Sequence, residues 1–379
     1  MLLNYLKNNI YHLALAFLSA YIFRFPSREI FVVGITGTKG KSTVLELIGF
    51  ILEKAGKKVA ISSSIRNGES SMTMPGRFFL QKFLRRAVNN NCDYALIEVT
   101  SQGVLQNRHR FINWRAGIFT NLSPEHIEAH GNFERYRKAK LAFFRYLIKH
   151  NQKLFFINND DKNANYFINE LKEGEIILYG KSDLPSKLIG EFNKYNIGAA
   201  VAFARSQKID EDIITKAVAE FSGVPGRMEF IQNSPFAVVV DYAHTPDSLI
   251  KVYEALRPAQ GRLICVLGAA GGGRDKWKRP EMGKVASEYC DEIILTDEDP
   301  YNESPEEILN QIKKGVTQDS KFKIHEILDR RDAIKKAISL AKSSDIVVIT
   351  GKGSEKWIHL SNNKKIPWSD KEVVQELLK

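Results

Sequence analysis

The sequence predicts an α/β protein of two domains, each built on a mainly parallel sheet. Three observations predict it. At 379 residues the chain is longer than one hydrophobic core usually serves. Short apolar runs alternate with helix-period segments along nearly all of it. The alternation breaks once, at Ser222-Gly223-Val224-Pro225-Gly226, and then resumes. Each half can bury its own core, so a cleft between the halves is the expected active site.

The chain opens on an apolar stretch, Ile10 to Phe23 (IYHLALAFLSAYIF). It is shorter than the ~20 residues that span a bilayer, and no small-residue cleavage site precedes Arg24 and Pro26. It reads as a helix packed on the first domain, with interfacial membrane contact as the lesser option. Candidate strands of the first domain are Phe31–Thr36, Lys58–Ser62, Tyr94–Val99, Gly117–Asn121, Leu154–Asn158 and Glu175–Tyr179. Those of the second are Ala237–Asp241, Leu263–Leu267, Glu292–Thr296, Lys323–Ile327 and Ile346–Thr350. The expected division is residues 1–28 as an N-terminal apolar helix, 29–222 as the first domain and 223–379 as the second.

Composition is that of an ordinary globular protein, with 44% apolar and 26% charged residues. The net charge is +11, but basic and acidic residues are interspersed. That pattern fits a solvated surface or small polyanions such as nucleotides, and nothing marks a nucleic-acid groove. Cys92, Cys265 and Cys290 are odd in number and widely spaced. They suggest neither a disulfide framework nor a zinc site, and fit a reducing cytoplasm.

The chemistry is densest in Phe31 to Leu47, FVVGITGTKGKSTVLEL. A short apolar run, a glycine-rich turn, Lys41-Ser42 and a helix pattern through Val44, Leu47, Ile48 and Ile51 are the parts of a phosphate cradle. Gly37, Thr38, Lys39, Gly40 and Thr43 would bring backbone N–H groups to the phosphates. Lys41 would reach the terminal phosphates and the Ser42 hydroxyl would face Mg²⁺. The strict P-loop pattern fails at its first glycine, where Ile35 stands. The first domain is therefore of P-loop ATPase type, and the second is a Rossmann-like α/β domain. Glu98 closes an apolar strand on the same sheet edge, where a Mg²⁺ ligand would be wanted. By pattern alone Lys140 is one of several helix lysines.

The loop TGTKGKS resembles the ATP loop of the Mur ligases and of their relatives, the folylpolyglutamate and cyanophycin synthetases. EVTSQGVLQNR (Glu98–Arg108), FTNLSPEHIEAHG (Phe119–Gly131) and YRKAKLAFF (Tyr136–Phe144) look like the Mur ligase central domain. VPGRME (Val224–Glu229), DYAHTPDSL (Asp241–Leu249), GAAGGGRDKWKRPEMG (Gly268–Gly283) and GKGSE (Gly351–Glu355) resemble the MurE branch. The resemblance implies a ligase that uses ATP and two Mg²⁺ ions to join an amino acid to a muropeptide acceptor. The rival readings are a relative that extends a different acid and a nucleotide-binding subunit active only with a partner.

The resemblance also implies roles. Ser42, Glu98, His126 and a carbamylated Lys140 would serve the metals. Asn196, Arg227, Asp241 and His244 would border the ATP. Thr73, Ser101 and Arg108 would contact the acceptor. Arg274, Glu298, Asp299, Tyr301, Gly351 and Glu355 would line the amino-acid pocket. Where diaminopimelate-adding relatives read Asp-Asn-Pro-Arg, this chain reads Glu298-Asp299-Pro300-Tyr301. Tyr301 carries no cation and Asp299 adds a negative charge. The expectation is a basic amino acid, L-lysine ahead of L-ornithine, with the distal ammonium held by Asp299 and supported by Glu298 or Glu355. The short N-terminus is expected to stand in place of a UDP-binding domain. The expected partners are ATP, acceptor and amino acid, without nucleic acid, and the expected state is a cytoplasmic monomer.

Overall fold

A computed structural model describes residues 10–67, 72–125, 127–150, 154–317 and 322–379. Its residues group into two compact units. The first takes in the chain up to Pro124, His130–Lys187 and Phe192–Ser222. The second takes in Gly223–Lys379 together with the short stretches Glu125–Ala129 and Leu188–Glu191.

The first unit holds a six-stranded sheet in the order β2-β3-β1-β4-β5-β6. Its strands are β1 (Phe31–Thr36), β2 (Val59–Ser62), β3 (Tyr94–Glu98), β4 (Trp114–Phe119), β5 (Leu154–Asn158) and β6 (Glu175–Tyr179). All pairs are parallel. β1 lies centrally between β3 and β4, so the chain leaves it to one side and later returns to the other. That reversal opens a crevice at the carboxyl ends of the strands, the usual place for a ligand in such sheets. β1 is almost wholly buried, as its apolar run requires. The helix Lys41–Lys54 follows it and buries Val44, Leu47, Ile48 and Ile51, the face its period predicts. β4 begins at Trp114, three residues before the expected Gly117, because Trp114 and Ala116 are core positions with nothing exposed to solvent.

The second unit holds β7 (Glu229–Gln232), β8 (Ala237–Val240), β9 (Leu263–Leu267), β10 (Glu292–Leu295), β11 (Lys323–Glu326) and β12 (Ile346–Ile349). Their order is β11-β10-β9-β12-β8-β7. β7 is antiparallel to β8, and the other pairs are parallel. A small hairpin, β13 (Trp357–His359) with β14 (Lys365–Pro367), completes it. The edge strand β7 and the hairpin have no apolar run of their own, which is why pattern did not mark them.

One sequence expectation is overturned. Cys265 and Cys290 form a disulfide, with Cα atoms 6.1 Å apart. Cys265 sits mid-strand on β9 and pairs in register with Ile293 of β10, and Cys290 caps the helix that leads into β10. The βαβ crossover, not sequence spacing, brings the two sulfurs together. The cysteine argument for a reducing compartment therefore falls away. Among the described residues no helix is long and apolar enough to cross a membrane.

Candidate active site

The glycine turn after β1 is tied to the turn after β4. The Lys39 N–H donates to Asn121 Oδ1 at 2.9 Å, and Asn121 Nδ2 and Thr120 Oγ1 both donate to Lys39 O, at 3.0 and 2.7 Å. The Thr38 hydroxyl lies 3.1 Å from Tyr136 OH and accepts from the Ser123 N–H at 3.0 Å. These bonds fix the loop before any ligand arrives. Gly40, with φ +82°, gives the left-handed turn that starts the helix Lys41–Lys54. A Cβ there would meet Asn196 Oδ1 at 2.2 Å. Gly40 and Asn196 thus share one small space, a cradle that any side chain at 40 would fill.

Two lysine ammonium groups converge on this loop. Lys41 Nζ donates to Gly37 O at 3.2 Å and to Thr38 O at 3.0 Å. Lys140, on the helix Phe133–Lys149, donates to Gly37 O at 2.7 Å and is 2% exposed. Its Nζ also lies 4.8 Å over the Tyr136 ring. Sequence pattern could not separate Lys140 from its helix neighbours; burial does. Buried Glu98 ends β3 in register with Ile35 of β1, beside the same loop. Ser42 Oγ lies 3.3 Å from Ser64 Oγ. A hydroxyl and a carboxylate are hard oxygen donors, and Mg²⁺ needs few from protein when phosphate and water supply the rest. The residues present fit that ion. Among the described residues no group of three His, Cys, Asp or Glu could hold a metal alone. His126 lies outside the described residues.

The expected acceptor residues lie in the first unit. Ser101 opens a short helix whose N-cap, Thr100, accepts from the Gly103 N–H. Its hydroxyl is 3.0 Å from His130 Nε2, and both residues are buried. Burial, reinforced by Lys140, lowers the His130 pKa and keeps the imidazole neutral. His130 was missed in the sequence because 29 residues separate the pair. Arg108 donates to Met74 O and to Gln106 Oε1, and Thr73 O accepts from Asn67 Nδ2 at 3.2 Å. Arg108 and Thr73 thus belong to neighbouring backbone networks.

In the second unit the expected residues are wired to one another. Asp241, after β8, accepts from the Met228 and Ala243 N–H groups at 2.7 and 2.6 Å. Arg227 stacks over Tyr242, its guanidinium carbon 3.9 Å from the ring centre. Tyr242 OH donates to Glu355 at 3.1 Å, while His244 Nδ1 lies 2.7 Å from Tyr242 O. His244 Nε2 is 3.3 Å from Glu125 Oε1.

The residue that organises the expected amino-acid pocket is one the sequence reading passed over. Lys352, fully buried, donates to both Asp299 oxygens at 2.8 Å and to Glu355 Oε2 at 2.7 Å. Asp299 Oδ1 also accepts from the His359 N–H. Asp299 and Glu355 therefore share one ammonium within the chain, which leaves the group one negative charge in excess and makes Lys352 the competitor that a substrate ammonium would meet at Asp299. Burial pushes the neighbouring Glu298 up to about 7, against the pull of Lys352 and Arg330. Its carboxylate lies against Gly351, where a Cβ would come within 2.3 Å of Oε2. Tyr301 adopts φ +51° and stacks on His359 at 5.1 Å. The Arg274 guanidinium lies close enough to Tyr301 to interact with it, so a cation does stand near that tyrosine.

Comparison with known proteins gives a consistent result. The Mur ligase middle domain matches residues 35–185, and the Mur ligase glutamate ligase domain matches residues 226–353. A UDP-N-acetylmuramoyl-L-alanyl-D-glutamate--2,6-diaminopimelate ligase of Syntrophomonas wolfei is 37% identical, over 97% of this chain and 82% of its own. The enzyme of that name from Aquifex aeolicus is also 37% identical, over 93% and 78%. A solved structure of a ligase of that name superposes with a TM-score of 0.64 at 29% identity, over 95% of this chain and 81% of its own. A Mycobacterium tuberculosis folylpolyglutamate synthase, bound to ADP and AMPPCP, has a TM-score of 0.71 at 16% identity over 89% and 92%, a likeness of fold alone.

Proposed function

The chain belongs to the Mur ligase family, and from that premise we propose that it is an ATP-dependent, ADP-forming ligase of peptidoglycan precursor synthesis. It joins a diamino acid to a muramoyl-dipeptide acceptor. The observation that carries this reading is the convergence of Lys41 and Lys140 on Gly37 O inside a glycine cradle shared with Asn196.

The acceptor carboxylate takes the terminal phosphoryl group of ATP, giving an acyl phosphate and ADP. The amino group of the incoming amino acid attacks the acyl carbon, loses a proton, and phosphate leaves. Lys41 moves from its carbonyl partners to the phosphoryl oxygens, where charge spreads in the transition state. Ser42, Glu98, His126 and a carbamate on Lys140 would hold Mg²⁺ in two sites, and the ions would supply charge neutralisation there. Asn196 stands beside the loop for the nucleotide, and the family resemblance assigns Arg227, Asp241 and His244 to the nucleotide as well. His130 orients the Ser101 hydroxyl toward the acceptor, with Arg108 and Thr73 beside it.

The amino acid favoured is 2,6-diaminopimelate. The names of the similar ligases support it, as does the Arg274 guanidinium beside Tyr301. L-Lysine is the second reading, carried by Tyr301 standing where an arginine would grip a distal carboxylate. ADP release with UDP-linked muramoyl dipeptide and each amino acid at equal concentration tests both. No amino-acid-dependent release with any diamino acid would overturn the ligase reading. A preference for lysine would overturn the choice of diaminopimelate.

A further inference from the structure

The helix His12–Ile22 is built inside out. Its buried face is His12, Ala16, Ser19 and Ala20, small or polar residues one helical turn apart. Its outer face carries the large apolar side chains. Tyr21 is 65% exposed, Tyr11 58%, Ile22 54%, Phe17 49% and Leu18 46%. No charged residue lies on the helix at all. The helix Phe133–Lys149 shows the usual arrangement, burying Tyr136, Leu141, Phe143 and Phe144. Large apolar side chains gain by leaving water, so a face of this kind is stable only if another apolar medium covers it.

The surroundings say which medium. Arg85, on the helix Arg77–Asn89, donates to Phe23 O and Arg24 O, both at 3.1 Å, and pairs with Glu29 at 2.8 Å. At the other end Arg77 interacts electrostatically with Tyr11. The two helices therefore run side by side in the same direction. The helix Arg77–Asn89 has Arg77, Lys82, Arg85 and Arg86 and no acidic residue. Lys82 and Arg86 are exposed, as are Arg24 and Arg28 at the end of the apolar helix. Phe78 adds a further exposed aromatic ring next to Arg77, at 41%. An uncharged apolar face is thus rimmed by exposed cations, and the acid at this rim, Glu29, is held by Arg85.

We propose that this face is an interfacial docking surface for an anionic lipid bilayer. The described helix, His12–Ile22, is ~16 Å long against a hydrocarbon core of ~30 Å, and among the described residues no helix is long and apolar enough to cross a membrane, so the face is read as lying in the interface. Tyr11 and Tyr21 have the amphipathic form that suits the headgroup level. The rim cations meet the negative surface potential of anionic lipid. A second copy of this chain is a poorer occupant. A two-fold contact through this face would bring two like-charged rims, each with Arg24, Arg28, Lys82 and Arg86, into one interface.

The test is flotation of the full chain with vesicles of phosphatidylcholine alone and of phosphatidylcholine with phosphatidylglycerol. The expected result is more than about tenfold greater recovery with the anionic vesicles, declining as salt is raised. Leu18→Glu with Ile22→Glu should abolish flotation while leaving ligase turnover in solution unchanged. Arg24→Ala with Arg28→Ala should weaken it. Equal flotation of the parent and the Leu18→Glu/Ile22→Glu protein would overturn the proposal. So would no flotation at all, or a parent dimer in light scattering that the same double variant converts to monomer without any vesicle binding.

Discussion

The phosphate loop and the motif Glu298–Tyr301 are both rich in charge, and they handle it in opposite ways. At the loop, the cations Lys41 and Lys140 rest on the carbonyls of Gly37 and Thr38. A neutral carbonyl is a weaker partner for an ammonium than phosphate or carboxylate. Those carbonyl bonds can be exchanged for bonds to an anion. At the motif, Asp299 is instead held by an opposite charge, Lys352, which also takes Glu355.

The sharpest way to break this contrast is at the loop. Lys41→Ala should reduce amino-acid-dependent ADP release by on the order of a thousandfold with the fold intact. Lys140→Ala should fall comparably, and small carboxylates added to the medium should restore part of the rate. A mass increase of one carbamate on Lys140 in the crystallised, liganded enzyme is expected. A fully active Lys140→Ala enzyme would end the metal-site reading.

At the motif the first loss should be of stability. Lys352→Met leaves Asp299 buried without its cation and should lower unfolding free energy by ~3–5 kcal/mol. The urea midpoint measures it. A variant as stable as the parent, with altered amino-acid preference, would make Lys352 a substrate residue instead.

Glu298 tests the same region by pH. Its carboxyl is raised from 4.5 to about 7 by burial, so between those values the folded chain binds more protons than the unfolded one. Stability from this group is full below about pH 4.5 and is lost as pH rises through about 7, a total of ~3 kcal/mol. Asp297, pushed up to about 6 by burial, acts in the same direction. Urea midpoints of Glu298→Gln should show a flatter decline between about pH 5 and about pH 8 than the parent. An unchanged slope would mean that Glu298 is ionised throughout.

The smallest effect is expected at Tyr301. Tyr301→Arg adds a guanidinium beside Arg274 and should raise the ratio of diaminopimelate to lysine turnover about tenfold. No change in that ratio would remove Tyr301 from the pocket.

Much of the fold was readable because it is local. β1, β5, β6 and β9 have the bounds their apolar runs predicted, and the buried face of Lys41–Lys54 follows its own period. Features without a local signal were missed. β7 is an edge strand whose residues are all half-buried, and β13 and β14 are three residues each.

The sequence by itself determined the strand, glycine turn and helix from Phe31 to Lys54, because apolar run, glycines and helix period are contiguous. It also determined that Glu98 would end a strand beside it. Only the tertiary structure decided which of several helix lysines reaches the loop, since Lys140 lies 103 residues from Gly37. It decided that Asp299 answers to Lys352, 53 residues away, and that Cys265 bonds Cys290 across a crossover. It decided too that an apolar N-terminal helix turns its small side inward. In each case the outcome depends on which strands and helices become neighbours, and that is set by the packing of whole elements, which no stretch of sequence contains alone.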